Sequence, residues 1–518
     1  MPRKYEWPIA ILAILLLAAG LHVQILPFVT DVDGFYHIRH AQLYQSGGIF
    51  QTEFPWAQFS AVKTYAADLW YGFHIILIPF TLFSDLLTGI YVGAFAVTLT
   101  SLLLAFGAFK RLQIAWPLFW TFVYAVITAD LMYRLTMLRP HPLSLGLALL
   151  IFSFIIKNPK RPRELLSTLA VAAIFTWLHI SLAWVLGIIA LAIAFFHLLV
   201  KREFQWRPSV AIIGGIILGW LMRPNPFGAL HLAYIQVIKL ISVKNLPLRF
   251  GRELTPFVWE NFVDQLIPLT ALLVLALGLF ITWMKRHPRG GDDRSESSVK
   301  IWSSLSMTLL FLLMTFGVAR RTNELLVAFA IVFIALIFTV YSKAADRRAT
   351  NYRLAVLLGI IALVVAPVKN IYRVSTYISN GLDPLIMRPA SNWIAENAAP
   401  GEIAYNVHWD RFAELFFWNP ANYYINGMDP IFEYEYSPGL YWETHFYAID
   451  KATEYTCRSI RCTADETRET YQALKRDFQA SYIVLEKRRN PGLNNYLSTA
   501  RLFNKTFENN DTVIYKIL

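Results

Sequence analysis

The chain has 518 residues, of which 56% are hydrophobic, 15% aromatic and only 16% charged, with a formal net charge of +12. A soluble globular protein carries about a quarter charged residues, so this composition belongs to the membrane class. The positive charge argues against nucleic acid, because it is not gathered in one patch. It falls in short clusters between apolar runs, the positive-inside pattern of a polytopic protein: Lys110-Arg111, Lys157 to Arg163, Lys201 to Arg207, Lys285 to Arg289 and Arg347 to Arg353.

Met1-Pro2-Arg3-Lys4 precedes an apolar run from Trp7 to Leu26, near the ~20 residues that cross a bilayer. No small-residue cleavage site follows, and Pro27-Phe28 stands where one would be needed, so an uncleaved signal anchor is expected. Further spans are expected near 86–109, 113–129, 142–156, 164–180, 181–200, 208–222, 263–284, 301–318, 325–341 and 354–367. With the first span at 8–27, these about eleven crossings leave every basic cluster on the cytoplasmic side. Leu69–Phe83 is apolar but short and ends at Ser84-Asp85. It reads as a re-entrant or interfacial helix within a first outer loop at 28–85.

The second outer loop holds Asp130, Arg134, Arg139 and His141; a longer third carries Lys239, Lys244, Arg249 and Arg252. A tight late loop holds Arg320, Arg321, Asn323 and Glu324. Basic residues on the outer face oppose the orientation bias, so they need a reason of their own. Beyond about Val368 membrane-length apolar runs end, and 368–518 reads as one mixed α/β domain outside the cytoplasm. Its expected elements are a helix around 392–396 and strands at Glu402–Val407, Tyr482–Glu486 and Thr512–Ile517. The only cysteines, Cys457 and Cys462, suit a local disulfide in an oxidising compartment; two free thiols are the alternative. No internal repeat is visible, which weakens a transporter built from inverted halves.

The densest chemistry follows the first span: Asp31-Val-Asp33-Gly-Phe-Tyr36-His37-Ile-Arg39. Asp33 can act as a general base, a metal ligand or an orienting acceptor. Either aspartate can instead cap a helix running through Tyr36, His37 and His40. Capping accounts for one acid but not for the accompanying His37 and Arg39, which interfacial placement would explain only in part.

The run Asp33-Gly-Phe-Tyr36-His37-Ile-Arg39 resembles the Asp-x-x-Tyr-His-x-Arg signature of oligosaccharyltransferase catalytic subunits, within the wider GT-C class of membrane glycosyltransferases. The layout is similar too, with a long first outer loop, an interfacial helix, a polar second loop and a C-terminal outer domain. The resemblance implies a polytopic GT-C-like catalytic domain at 1–367 and inverting transfer of a sugar or glycan from a polyprenyl-phosphate-type carrier to a protein, glycan or lipid acceptor. It selects Asp33 as the catalytic carboxylate, with Asp31, His37 and Arg39 in support. Arg320-Arg321-x-x-Glu324 resembles the arginine-bearing late loop that binds the donor phosphate; headgroup contact is the bland alternative.

The second loop departs from the resemblance. Where oligosaccharyltransferases carry an Asp-x-Glu pair, this chain has Arg139-Pro140-His141. His141 could still join Asp33 at a divalent cation, Mg2+ or Mn2+; equally, the site could work without metal, with Arg139 serving the phosphate. Trp409-Asp410 stands in for the doubled-tryptophan acceptor motif, against a plain strand end and turn. His179 and Trp177 read as interfacial anchors. The expected setting is the plasma (inner) membrane, with membrane lipids as neighbours. Alternatives are an oligosaccharyltransferase proper, a lipid-linked glycan flippase, and a non-catalytic assembly subunit.

Overall fold

The computed structural model describes residues 3–286, 292–343, 350–379, 383, 385–425 and 427–518. The chain forms two compact units, each drawn from separated segments. One comprises Met1–Thr30, Tyr91–Met222 and Arg252–Gly381; the other comprises Asp31–Ile90, Arg223–Gly251 and Leu382–Leu518.

The first unit is helical. All eleven segments expected to cross the membrane are helices. Among the described residues, six are long and apolar enough to span: Glu6–Val23, Leu86–Arg111, Ile180–Lys201, Ile267–Lys285, Ser295–Gly317 and Arg320–Ser342. Counting each of two bent helix pairs as one span raises the number to eight, so length and composition support six to eight crossings and leave eleven unsupported. The bend of 98° between Pro117–Val126 and Ala129–Leu135 falls at Thr128, whose extended backbone starts a new helix and whose hydroxyl accepts from Leu131 N–H at 3.3 Å. The expected boundary at 367/368 lies inside the helix Thr350–Ser379. That helix continues because Ala366, Asn370, Val374 and Ile378 keep a buried stripe at four-residue spacing past the point where overall hydropathy drops. Pro367 sits within it and does not end it.

Glycines set one close helix pair. Gly215 and Gly219 lie four apart on the helix Trp206–Leu221 and face the helix Pro162–Leu178. A Cβ at Gly219 would come 2.2 Å from the Ala173 carbonyl oxygen, and one at Gly215 would come 2.5 Å from that of Leu169. Small residues at this spacing let helix backbones approach where lipid offers no hydrophobic drive.

The second unit is built on a five-stranded sheet. Its strands are β1 (Ile403–Asn406), β2 (Tyr423–Tyr424), β5 (Ala480–Glu486), β6 (Phe503–Glu508) and β7 (Thr512–Ile517), in the order β2-β1-β5-β7-β6. β1 runs parallel to β2 and β5, while β7 is antiparallel to β5 and β6. A two-stranded ladder, β3 (Tyr455–Cys457) with β4 (Thr467–Glu469), lies apart, and a disulfide joins Cys457 to Cys462 beside it. Alternation places Tyr405, Ile483, Leu485, Val513 and Tyr515 in one core. The three strands expected from β-branched patterning are β1, β5 and β7, and the helix expected at 392–396 is Arg388–Asn397.

Hydrogen bonds tie the first outer loop to this sheet. Gln58 N–H donates to the Tyr424 carbonyl at 2.9 Å, Phe59 N–H to that of Ile425 at 2.8 Å, and Tyr424 N–H to that of Trp56 at 2.8 Å. The loop therefore extends the β2 edge, which is why residues 31–90 fold with 382–518. Within it, Tyr71–Leu77 and the 3-10 turn Ile78–Leu82 form the short apolar helix expected at 69–83.

Candidate active site

Asp33 is the first residue of the helix Asp33–Gly47 and is half-buried. Just ahead of the helix, Asp31 Oδ2 accepts from Asp33 N–H at 3.2 Å. One of the two sequence-predicted acids is thereby committed to the helix start. Arg39 is committed too. Its guanidinium donates to Gln42 and to the Phe417 carbonyl, and it lies 5.2 Å from the centroid of the Phe417 ring. It docks the helix on Phe412–Trp418, a packing role that accounts for its presence in the motif.

His37 points into a buried network that sequence reasoning did not assemble. Its Nδ1 lies 2.8 Å from His74 Nε2, and His74 Nδ1 lies 2.6 Å from Asp68 Oδ2. Tyr44 donates its hydroxyl to the same oxygen at 3.0 Å, and Trp70 N–H donates to Oδ1 at 2.8 Å. His40 stacks on His74 with centroids 4.3 Å apart, and its Nδ1 meets the Tyr36 hydroxyl at 2.9 Å. Two sequence signals existed. Tyr36, His40 and Tyr44 recur every four residues on one helix face, and His74 sits alone in an otherwise apolar short helix. Neither names its partner 24 to 38 residues away.

The other unit gathers the arginines of the second and late loops. Arg139 stands just before the helix Pro140–Ile155, extended as a residue preceding proline must be. Arg320 and Arg321 form a 3-10 turn ahead of Asn323–Lys343. Arg320 Nη2 donates to Asp130 Oδ1 at 2.9 Å, and Asn323 Nδ2 donates to Oδ2 at 3.1 Å. Arg321 Nε donates to His141 Nε2 at 2.8 Å. Glu253 lies among three of the guanidiniums, 2.6 Å from Arg134, 3.5 Å from Arg139 and 3.7 Å from Arg321. Arg134 also lies 3.2 Å from Glu324.

Among the described residues the cluster thus sets four guanidiniums (Arg134, Arg139, Arg320, Arg321) against three carboxylates (Asp130, Glu253, Glu324). Burial alone would raise the Glu253 carboxyl, but Arg134, Arg139 and Arg321 together hold it well below the usual carboxylate range. Sequence reasoning missed Glu253, which lies in the three-residue 3-10 turn Arg252–Leu254, too short to carry a periodic signal. His179 accepts its place from Ser144, Oγ to Nδ1 3.0 Å, and Trp177 Nε1 donates to the Met222 carbonyl at 3.0 Å.

At His141 the residues present do not suit a divalent cation. The ring nitrogen such an ion would use already accepts from the Arg321 guanidinium, and a positive group there repels a second one. No step is assigned to a metal at that residue. In the sheet-bearing unit, Trp409-Asp410-Arg411 forms a 3-10 turn after β1, and the Asp410 carboxylate pairs with Arg489 at 3.2 Å through both oxygens. Of the third-loop cations, Lys239 pairs with Glu435 at 3.4 Å, and Arg249 donates to the Ala448 carbonyl at 2.6 Å. Both hold the loop to the helices Pro430–Tyr436 and Pro438–Ala448.

No family model matches the chain, and no curated protein matches it. Two solved structures of ArnT from Cupriavidus metallidurans share its fold. The apo form aligns over 99% of this chain and 98% of that one at TM-score 0.53 and 12% identity. The form bound to undecaprenyl phosphate aligns over the same shares at TM-score 0.52 and 12% identity. The chain therefore shares the ArnT fold along essentially its whole length.

Proposed function

We propose that this protein is an integral membrane glycosyltransferase that moves a sugar from a polyprenyl-phosphate-type carrier to an acceptor on the outer face of the membrane. The observation that carries the reading is the end-to-end likeness to ArnT, one structure of which holds undecaprenyl phosphate. The chemistry of the two clusters fits it. Transfer with inversion requires the acceptor oxygen to attack the anomeric carbon while the bond from that carbon to the phosphate oxygen breaks. The phosphate leaves with the electron pair, and the acceptor proton goes to a carboxylate.

Asp33 is assigned the proton. Asp31 accepts from the main chain at the helix start, which leaves Asp33 as the motif's candidate base. Arg321 and Arg139 are assigned the phosphate. Their distances to Glu253 of 3.7 and 3.5 Å are long for charge-assisted hydrogen bonds, so a phosphate can replace that contact at small cost. Arg320, bound to Asp130 at 2.9 Å, is assigned to holding the loop. The orientation bias of the basic clusters supports a C-terminal domain outside the cytoplasm.

The oligosaccharyltransferase alternative is less well supported: the second-loop acidic pair is missing, and Asp410 is paired with Arg489. The test is release of free polyprenyl phosphate by the reconstituted full-length protein, supplied with a polyprenyl-phosphate-linked sugar and candidate acceptors. Asp33→Asn should lower the rate by at least about 100-fold, the usual range for loss of a general base. Undiminished turnover in that variant would refute the assignment. Lipid movement across vesicles without sugar transfer would favour the flippase.

A further inference from the structure

We propose that His40, Asp68 and His74 form a structural binding site for a divalent transition metal of the zinc class, separate from the transfer chemistry. The three side chains come from one helix, one loop and a second short helix of the same unit, and their donor atoms lie within 4.8 Å of one another. Two imidazoles and one carboxylate are a borderline-soft donor set that suits Zn2+ or Co2+ better than Mg2+ or Ca2+.

The distances bracket a metal site. Ligand atoms about 2.0–2.1 Å from a tetrahedral ion stand about 3.3 Å from each other. Here Asp68 Oδ2 lies 2.6 Å from His74 Nδ1 and 3.8 Å from His40 Nε2. Shifts of well under an ångström equalise the two.

The surroundings supply what metal ligands need around them. A ligating histidine gives its other ring N–H to an acceptor, which fixes its tautomer and orientation. His74 has His37 Nδ1 at 2.8 Å from its remaining nitrogen, and His40 has the Tyr36 hydroxyl at 2.9 Å from its own. The carboxylate is likewise oriented, by Trp70 N–H on Oδ1 and the Tyr44 hydroxyl on Oδ2. Tyr44, or a water in its place, is the fourth donor. The nearby cation, Arg223, donates through Nη1 to the main-chain carbonyls of Asp68 and Leu69, at 3.1 and 3.4 Å. It fixes the turn that presents Asp68.

An ion here would bind the helix Asp33–Gly47, which begins at Asp33, to the short apolar helix carrying His74. The site rests on the geometry alone and stands whether or not the transferase reading does.

The test is metal analysis of the full-length protein, purified in detergent with any affinity tag removed. About one equivalent of zinc per chain is expected. After chelation and reloading with Co2+, the visible absorption of a four-coordinate cobalt ion should appear, and the melting temperature should fall on chelation and recover with Zn2+. Asp68→Asn and His40→Ala should lose the ion, while His231→Ala, outside the cluster, should keep it. The wild-type cobalt spectrum needs no variant, so misfolding of a mutant does not blunt the test. Less than about a tenth of an equivalent after zinc loading, with no cobalt absorption, would overturn the proposal. So would equal loss of metal in His231→Ala.

Discussion

Arg321→Ala and Arg320→Ala should fail in different ways, although the two residues are neighbours. Arg321 donates to His141 at 2.8 Å and stands 3.7 Å from Glu253. Its loss strands no buried carboxylate, because Glu253 keeps Arg134 at 2.6 Å and Arg139 at 3.5 Å. The fold should lose about 1 kcal/mol, the worth of one hydrogen bond. Transfer loses contacts from a guanidinium to the carrier phosphate, worth about 1.5–3 kcal/mol. That corresponds to a fall of about 10- to 150-fold in kcat/KM.

Arg320 reverses the pattern. It is bound to buried Asp130 at 2.9 Å, and removing it leaves that acid its bond to Asn323 and the longer-range field of Arg134. Breaking a buried pair costs about 3–5 kcal/mol, and Asn323 should keep the cost near the lower figure. The assay is steady-state transfer beside thermal unfolding, in the same detergent, for both variants. If Arg320→Ala keeps its melting temperature while Arg321→Ala stays within about threefold of wild type in kcat/KM, the division of roles is refuted.

Three further outcomes are expected. Arg411 is buried between Glu486, which it contacts twice at 2.8 Å, and Glu414 at 2.6 Å; Arg411→Met should destabilise the full chain by about 3–5 kcal/mol, and adding Glu486→Gln should recover part of it, as read by hydrogen exchange across β1 and β5. Burial pushes the Glu443 carboxyl up to about 7 despite Arg458 at 2.6 Å; because its folded value exceeds its free value of 4.5, its stabilising contribution is full below pH 4.5 and is lost as pH rises through about 7. Melting curves of wild type should therefore fall relative to Glu443→Gln between those values, and parallel curves would contradict the assignment. Gly219→Val should push apart the helices Pro162–Leu178 and Trp206–Leu221, since even a Cβ comes 2.2 Å from the Ala173 carbonyl oxygen; an unchanged melting temperature would show that the pair can relax.

Much of the scaffold was legible in the sequence because its signals are local. Apolar runs marked all eleven helical segments, and β-branched alternation marked β1, β5 and β7. β6 was not legible: Phe503-Asn-Lys-Thr-Phe-Glu508 is a largely exposed edge strand, so little of it is selected for burial. β2 has only two residues. The crossing count could not be read reliably either. A helix bent by 98° and helices that end short of a bilayer's thickness look, residue by residue, like straight spans.

By itself the sequence determined the membrane class, the spacing of the basic clusters and the motif at Asp33, and it implied the kind of fold that the ArnT structures share. It also brought forward the arginines of the second and late loops, because charges that interrupt apolar runs are visible without coordinates. Only the tertiary structure decided which charges are spent on the fold: Asp31 on a helix start, Arg39 on Phe417, Arg320 on Asp130. It alone brought Glu253 to Arg134, Arg139 and Arg321, and Asp68 to His40 and His74. The physical reason is the same in each case. Burial of an apolar face leaves a period in the chain, whereas a pairing between two polar side chains from distant segments leaves none.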